Sequence, residues 1–369
     1  MPSRQPPPSR RPGARAGIVD LFAGPGGLDV AAHRLGVPVV GVEWDEDACA
    51  TRRAAGLPTV EGDVRRPHEA RSWYRCEPAD LADATVLAGG PPCQTYTVAG
   101  TGAGRRALEE LRGLVKRMAV REDITAELAG LDDERTGLVL EPLRWALAAI
   151  DDGRAYEAVV LEQVPAALPV WEAVGEVLTG EGYSVAHGVL RAEEFGVPQT
   201  RRRAILIARR DGTAALPEAT HRPYRKGVPR SDGASARKPW VSMGEVLDRP
   251  GPFVVVSNYG TGGDPRARGR RRSTEPAATV TGKISRNRVV GPDGVEEPRF
   301  SFSEAGRLQT FPADYPWRGR AVAQQIGNAI PPRLALHVLS AALGLGEEER
   351  DGHLAALDSA TRGETSWAT

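Results

Sequence analysis

The chemistry of this 369-residue chain is read first from Cys93, which follows Leu87-Ala-Gly-Gly-Pro-Pro. The apolar run Ala84 to Ala88 predicts a short buried strand. Two glycines and two prolines then stop it abruptly. A thiol directly after such a break is expected at the rim of a parallel sheet, where ligands bind in doubly wound α/β folds. Cysteine is among the most buried residue types, and Cys49 and Cys76 keep that ordinary reading. Cys93 departs from it, because Pro-Pro-Cys at a strand end is not a core-facing helix position. The loop that follows, Gln94 to Gly104, holds three glycines and no large aliphatic run, which suits a mobile segment beside a nucleophile.

A second group of residues outlines an adenosine site. Gly17 to Phe22 reads as a strand, Ala23-Gly-Pro-Gly-Gly27 as a tight loop and Leu28 to Leu35 as a helix. Gly24 and Gly26 fit a dinucleotide fingerprint, but its third glycine position is Asp29. Val37 to Glu43 is a second strand ending on an acid that can accept both hydroxyls of a ribose. Trp44 follows with a ring that can stack on adenine. Asp63, in Glu61-Gly-Asp-Val64, is placed at the end of a third strand, able to accept from an adenine amino group. No P-loop lysine is present, which argues against ATP phosphate chemistry. Farther on, Ala158 to Glu162 is a strand ending on a second acid. Arg201 and Arg203 alternate on a strand and so share a face; Arg202, on the other face, reads equally as a phosphate contact or a surface charge.

Composition adds a partner class. The 48 basic and 48 acidic side chains balance, but from Gln199 to Val290 there are 20 Lys and Arg against 7 Asp and Glu. A basic segment beside an acidic bulk points to a polyanion rather than a small substrate. Three unevenly spaced cysteines make neither a disulfide framework nor a zinc pattern, so a reducing compartment and no metal are expected. No apolar run approaches the ~20 residues of a membrane span. Met1 to Arg15 is rich in Pro and Arg and carries no secretory signal, so a disordered tail and a cytoplasmic location are expected.

These residues need elements to hold them. Strands alternating with helices predict an α/β fold with a doubly wound, mostly parallel sheet of the Rossmann-like type. Helices are expected over 107–131, 135–150 and 167–178, and strands over 183–190 and 204–208. The texture changes from residue 211 to 273, where Gly, Pro and Arg are frequent and a small basic domain is placed. The expected order is a tail at 1–15, a catalytic domain at 16–210, the small domain at 211–273, and a return to the catalytic domain at 274–346. That return holds a helix over 300–311, a loop at 324–332 and a last helix at 333–343. A polar tail is expected at 347–369.

At this point the motifs converge. Asp20-Leu-Phe-Ala-Gly-Pro-Gly-Gly-Leu28, Glu43-Trp44, Gly62-Asp63, Gly89-Gly-Pro-Pro-Cys-Gln94, Glu162-Gln-Val164, Gln199-Thr-Arg-Arg-Arg203, Thr279-Val-Thr281 and Gln325-Ile-Gly-Asn-Ala329 occur in one order. In that order the chain resembles a bacterial-type DNA (cytosine-5)-methyltransferase from residue 17 to about residue 343. The resemblance implies S-adenosylmethionine as donor, S-adenosylhomocysteine as product, and a flipped cytosine in double-stranded DNA as acceptor. It implies Cys93 as nucleophile at carbon 6, Glu162 at N3, and Arg201 and Arg203 at the base carbonyl and in ordering the site. For the cofactor it implies Phe22, Gly24, Gly26, Gly27, Leu28, Glu43, Trp44, Asp63, Val64, Pro91, Asn328 and Ala329. For DNA it implies Gln94, Gln199, Arg268, Arg270, Arg271 and Arg272, in a small target-recognition domain; for Gln199 a structural role or a backbone contact is the preferred reading. A monomer is expected, in a restriction-modification or related system; pairing with a restriction endonuclease is left open by the sequence.

The residue types suit that chemistry. A thiolate is nucleophilic and also leaves readily, and the ordinary thiol pKa of ~8.5 requires a site that stabilises the anion. Rival readings fit less well. A nicotinamide-dependent oxidoreductase gives no reason for Pro-Pro-Cys93. An amino-group methyltransferase would carry an Asp/Asn-Pro-Pro-aromatic tetrad where Gly90-Pro-Pro-Cys93 stands. An RNA cytosine methyltransferase suits the basic segment equally, and a non-catalytic relative would tolerate loss of Cys93, Glu162 or the arginines. Against the family pattern, Gln163 stands where Asn is usual, Thr95-Tyr-Thr97 follows Gln94, and the excursion at 107–131 is long.

Overall fold

The chain enters through the wholly buried strand β1 (Ile18–Leu21) and turns at the glycine loop into α1 (Gly27–Arg34). The alternation continues through β2 (Val39–Glu43), α2 (Glu46–Ala54) and β3 (Thr59–Glu61), and β4 (Ser72–Tyr74) folds back on β3. After α3 (Pro78–Asp83), β5 (Val86–Gly89) runs beside β1. Four helices follow: α4 (Gly102–Ala119), α5 (Thr125–Ala129), α6 (Glu134–Gly137) and α7 (Glu141–Asp151). They lead to β6 (Ala158–Gln163), α8 (Leu168–Gly180), β7 (Ser184–Arg191) and β8 (Arg202–Arg209). A second unit holds α9 (Met243–Val246), β9 (Val254–Val256), β10 (Arg270–Arg272), β11 (Arg288–Val290) and β12 (Glu296–Glu297). The chain closes with α10 (Phe302–Leu308), α11 (Val322–Asn328), α12 (Pro332–Leu343) and α13 (Glu347–Arg362). This computed structural model describes residues 17–92, 102–130, 134–230, 236–258 and 268–367.

The larger sheet has the order β4-β3-β2-β1-β5-β6-β8-β7. The central strands β3, β2, β1, β5 and β6 are parallel, and β4 and β8 run against their neighbours. The sheet is therefore mostly parallel, as the alternation predicts. Its central strands are covered on both faces, which is why β6 and β8 read as near-continuous apolar runs. One apolar layer gathers α1, α12 and α13; the other gathers α4, α7 and α8.

Two features of this topology position the site. Strand order reverses between β1 and β5, and the crevice at the carboxyl ends of such strands is where doubly wound sheets bind ligands. The reversed direction of β8 then matters. It pairs antiparallel with β6, Gln163 opposite Ala204, so the start of β8 meets the end of β6 at that same crevice.

Beneath the crevice Asp29 and Arg52 form a fully buried, bidentate pair at 2.7 and 2.8 Å. Arg52 also donates to Thr59 Oγ1 and Pro58 O, so the guanidinium is well satisfied. A Cβ on Gly41 would lie 2.0 Å from Arg52 Nη2, so β2 needs glycine there. Asp29, which breaks the dinucleotide fingerprint, is thus a structural anchor.

The structure corrects several expectations. The expected polar tail at 347–369 is not one over its described residues, 347–367: α13 packs Leu354, Leu357 and Ala360 inward, and Trp367 is buried behind it. Three apolar residues at helical spacing suffice, hidden in a charged sequence. The segment 324–332 is not simply a loop, since α11 buries Val322, Gln325 and Ile326. Gly327 looks like a breaker but serves close approach, because a Cβ there would lie 2.3 Å from Gly282 N. The expected helix over 135–150 is divided by a 3-10 turn at Leu138–Leu140. The small sheet, β10-β9-β11-β12, extends past residue 273, and its apolar cluster includes residues of α10 and α11. Asp63 lies two residues beyond β3 rather than on it.

Candidate active site

A cavity of about 920 Å³ opens at the carboxyl edge, between β1, β2, β5, β6, the start of β8 and the segment Thr279–Lys283. It is large enough for a nucleoside-sized ligand, since pockets for such ligands run about 300–1,000 Å³. Phe22, Gly24, Gly27, Leu28, Glu43, Trp44, Asp63, Val64, Pro91, Asn328 and Ala329 all line it. Glu162, Arg201 and Arg203 line it too. Gly26 does not, because it serves the turn with φ +105°. Cys93 and Gln94 lie outside the described residues. Pro91 and Pro92, which precede Cys93 in the sequence, do line the cavity.

The half formed by the glycine loop is held by backbone. Phe22 has φ +60°, unusual for a bulky residue and a common mark of functional turns. A Cβ on Gly27 would lie 2.2 Å from Ile330 O, so only glycine lets α1 start against that returning segment. Glu43 accepts Gly24 N at 2.7 Å, Trp44 N at 2.8 Å and Asp45 N at 2.7 Å. A carboxylate has about four acceptor positions, so one remains for a ligand hydroxyl. Burial raises the Glu43 pKa, opposed by those three N–H groups. Trp44 is 60% exposed, so it is no core ring. The Arg71 guanidinium sits 4.8 Å from its ring centre and is not part of the cavity lining. Asp63 is engaged by Arg65 at 2.6 Å.

The other half is built on β6 and β8. Arg203 Nε lies 2.5 Å from Glu162 Oε1 as an ion pair. No hydrogen bond is aligned on that buried oxygen, although the charges are close. Arg201 differs from Arg203. It is 1% exposed and lies just before β8, donating to Val280 O, Gly327 O and Ala329 O at 3.0–3.1 Å. It stitches the Thr279–Thr281 segment to the end of α11. Arg202 is exposed, facing away as alternation predicts. Asp20, on β1, lines the cavity floor, and burial followed by the nearby Asp29 charge raises its pKa well above the usual carboxylate value.

One expected DNA contact is corrected. Gln199 is 0% exposed and bonds Leu308 O, Gln309 Oε1 and Val280 N, which leaves it no surface for DNA. Arg271 is half-buried with its guanidinium 4.3 Å from the Tyr224 ring centre. Arg270 and Arg272 are exposed on β10, and Arg268 is half-buried before it. The sequence reading missed Lys283 and Thr279 beside the cavity, although Thr279-Val-Thr281 was among its motifs. Cys49 is buried, and burial pushes its thiol up to about 12, which suits a packing role. Among the described residues no group of three His, Cys, Asp or Glu could hold a metal ion. No helix among them is long and apolar enough to cross a membrane.

Known proteins resemble this chain in sequence and in fold. The model of the family described as C-5 cytosine-specific DNA methylase matches residues 16–117 and 157–238. Type II methyltransferase M.AquIA of Picosynechococcus sp. is 31% identical over 259 residues, covering 65% of this chain and 91% of that protein. Type II methyltransferase M1.HphI of Haemophilus parahaemolyticus is 27% identical over 373 residues, covering 90% and 87%. A solved structure of the Entamoeba histolytica methyltransferase EhMeth superposes with a TM-score of 0.55 at 12% identity, covering 89% of this chain and 98% of that one. A Dnmt2 methyltransferase from S. pombe gives 0.55 at 15% identity, covering 89% and 99%. At those identities the structural likeness speaks for the fold alone. Sequence and family model together place the chain among the C-5 cytosine-specific DNA methylases, and by that membership it is a DNA (cytosine-5)-methyltransferase.

Proposed function

We propose that the chain transfers a methyl group from S-adenosylmethionine to carbon 5 of a cytosine flipped out of double-stranded DNA, within a specific sequence. The observation that carries this reading is the single cavity shared by the glycine loop, Glu43 and Trp44 on one side and Glu162 and Arg203 on the other. The residues suit the cofactor: an exposed indole for adenine, a carboxylate with an acceptor position left for ribose, and a glycine-lined turn. When bound, S-adenosylmethionine supplies the electrophilic methyl group that carbon 5 accepts.

The chain's own residues make carbon 5 reactive. Cys93, as thiolate, adds to carbon 6 and breaks the aromaticity of the ring. Charge that develops on the ring is drained at N3 by a proton that Glu162 delivers from its protonated form, which leaves its carboxylate paired with Arg203. Arg203 holds Glu162 in place and offers donors toward the base carbonyl. Arg201 orders the wall behind them. Loss of the carbon 5 proton to a base then re-forms the 5,6 double bond and expels Cys93. Unstacking the target base costs a few kcal/mol. The basic small unit, with Arg268, Arg270 and Arg272 on or beside β10, supplies contacts to the duplex. We place the enzyme in the bacterial cytoplasm as a monomer, working in a restriction-modification or related system.

A duplex carrying 5-fluorocytosine at the target tests the covalent step, because fluorine at carbon 5 is not removed as a proton is. The expected result is a stable protein–DNA adduct that requires S-adenosylmethionine and maps to Cys93 by peptide mass spectrometry. Methyl transfer with no adduct, or with an adduct elsewhere, would contradict the mechanism; transfer to RNA alone would redirect the substrate.

A further inference from the structure

We propose that Arg71 is a positioning residue for the cofactor: it backs the Trp44 ring and ties the ends of β2 and β3 together, so that the indole stands ready for adenine. The inference rests on the function proposed above. Trp44 is 60% exposed and lines the cavity, whereas Arg71 does not line it. A ring so exposed packs little of its surface, so its rotamer needs another restraint. The Arg71 guanidinium carbon lies 4.8 Å from the Trp44 ring centre, within reach of a cation–π contact. The side of the ring that Arg71 covers is thus the side turned from the ligand. The same guanidinium donates from Nη2 to Trp44 O at 2.5 Å, and Trp44 N donates to Glu43 Oε1 at 2.8 Å. Both polar groups of the Trp44 main chain are therefore held, one by the ribose acid and one by Arg71.

Arg71 is itself anchored. It immediately precedes β4, and its main-chain N–H donates at 2.8 Å to the carbonyl of Glu61, the last residue of β3. Its Nη2 lies 3.8 Å from Glu61 Oε1, and its Nη1 donates to Glu46 Oε1 at 3.3 Å. The Glu46 side chain is 82% exposed, and an ion pair so exposed contributes little by itself. The weight falls on the contacts to Trp44. A planar guanidinium can lie on a ring and bond a carbonyl at once, whereas an ammonium is a compact point charge. Immobilising a free side chain on binding costs affinity, and a ring already held in its bound position avoids that loss. Arg71 stands outside the cavity, so it governs how tightly the cofactor is held and not how fast the methyl group moves.

The test uses the full chain, with Arg71→Ala and Arg71→Lys made both in the wild type and in Trp44→Ala. The readouts are S-adenosylhomocysteine affinity by calorimetry, KM for S-adenosylmethionine and kcat at saturating DNA, and Tm. For Arg71→Ala the expected result is an affinity about 5–10-fold weaker, a KM raised to match, and a kcat within about twofold of wild type. Arg71→Lys, which keeps the charge and loses the plane, falls between. In the Trp44→Ala background, removing Arg71 should cost less than about twofold in affinity, because the ring it serves is gone. Should Tm show that Arg71→Ala is unfolded, Arg71→Lys in the two backgrounds makes the same comparison. Affinity of the Arg71 variants within about twofold of wild type would overturn the proposal. So would an equal loss in both backgrounds, the mark of a role that bypasses Trp44, or a loss of affinity matched by an equal loss of kcat. A wild type that binds no S-adenosylhomocysteine would overturn the underlying reading together with the proposal; a wild type that binds it no better than Arg71→Ala would overturn the proposal alone.

Discussion

On the glycine-loop half of the cavity, Glu43 accepts three backbone N–H groups and Asp29 is locked to Arg52. On the opposite half, Glu162 has an ion pair to Arg203 and no aligned hydrogen bond on its buried oxygen. The first half has its polar groups largely satisfied within the chain. The second keeps a carboxylate and a guanidinium at the cavity wall. A site that binds the same ligand every turnover gains from a fixed frame, whereas groups that act on a reacting base must stay available to it. The contrast predicts that substitutions in the two halves separate binding from chemistry.

Glu162→Gln should have the largest effect. It removes the proton donor proposed for N3, and loss of a positioned acid or base typically costs about 10²–10⁴-fold in rate. Methyl-transfer kinetics should show that loss while calorimetry with S-adenosylhomocysteine shows an unchanged affinity. An equal loss of affinity would erase the distinction between the halves.

Asp29→Leu probes the frame below the glycine loop. It leaves Arg52 buried and uncompensated, and breaking such a pair costs about 3–5 kcal/mol of stability. Denaturant unfolding should show the loss. A change below about 1 kcal/mol would mean that water or another acid rescues Arg52.

Glu43→Ala should give the mirror image of Glu162→Gln. Hydrogen bonds to charged groups are worth about 1.5–3 kcal/mol, so affinity for S-adenosylhomocysteine should fall about 10- to 100-fold. At saturating cofactor the methylation rate should recover most of its wild-type value.

The last effect lies behind both halves and sharpens the comparison as a control. Burial, reinforced by the Arg333, Arg350 and Lys238 charges and by His221, pushes His337 on α12 down to about 2. Its ordinary value is 6.5, so below that pH the unfolded chain takes up a proton that the folded chain refuses. This contribution to stability is complete above pH 6.5 and falls with acid, by up to about 1.4 kcal/mol per pH unit. His221, pushed to about 4 by burial and Arg333, adds to the same acid limb. Tm measured from pH 7.5 to 5 should flatten in His337→Leu. Cofactor affinity at neutral pH should stay unchanged.

Much of the central sheet was legible in the sequence because its strands are short apolar runs with a glycine or an acid at the last or next-to-last position. Ile18–Leu21, Val39–Glu43, Val86–Gly89 and Ala158–Gln163 are all of this kind. The direction of β8 was not legible, since an apolar strand reads the same either way, yet that direction brings Arg203 to Glu162. The roles of Arg201 and Gln199 could not be separated from that of Arg203 by type or spacing. Only burial against the carbonyls of residues far along the chain distinguishes them. Helix α13 was hidden because its buried face is only three apolar residues deep in a charged stretch.

The central claim is that Cys93 and this cavity make 5-methylcytosine. The direct measurement is to express the chain, and Cys93→Ser beside it, in a host lacking cytosine methylation. Total DNA is digested to nucleosides and 5-methylcytosine is quantified by mass spectrometry. The account predicts 5-methylcytosine with the wild type and none with Cys93→Ser. Equal 5-methylcytosine from both, or none from a folded wild type that binds S-adenosylhomocysteine, would contradict it.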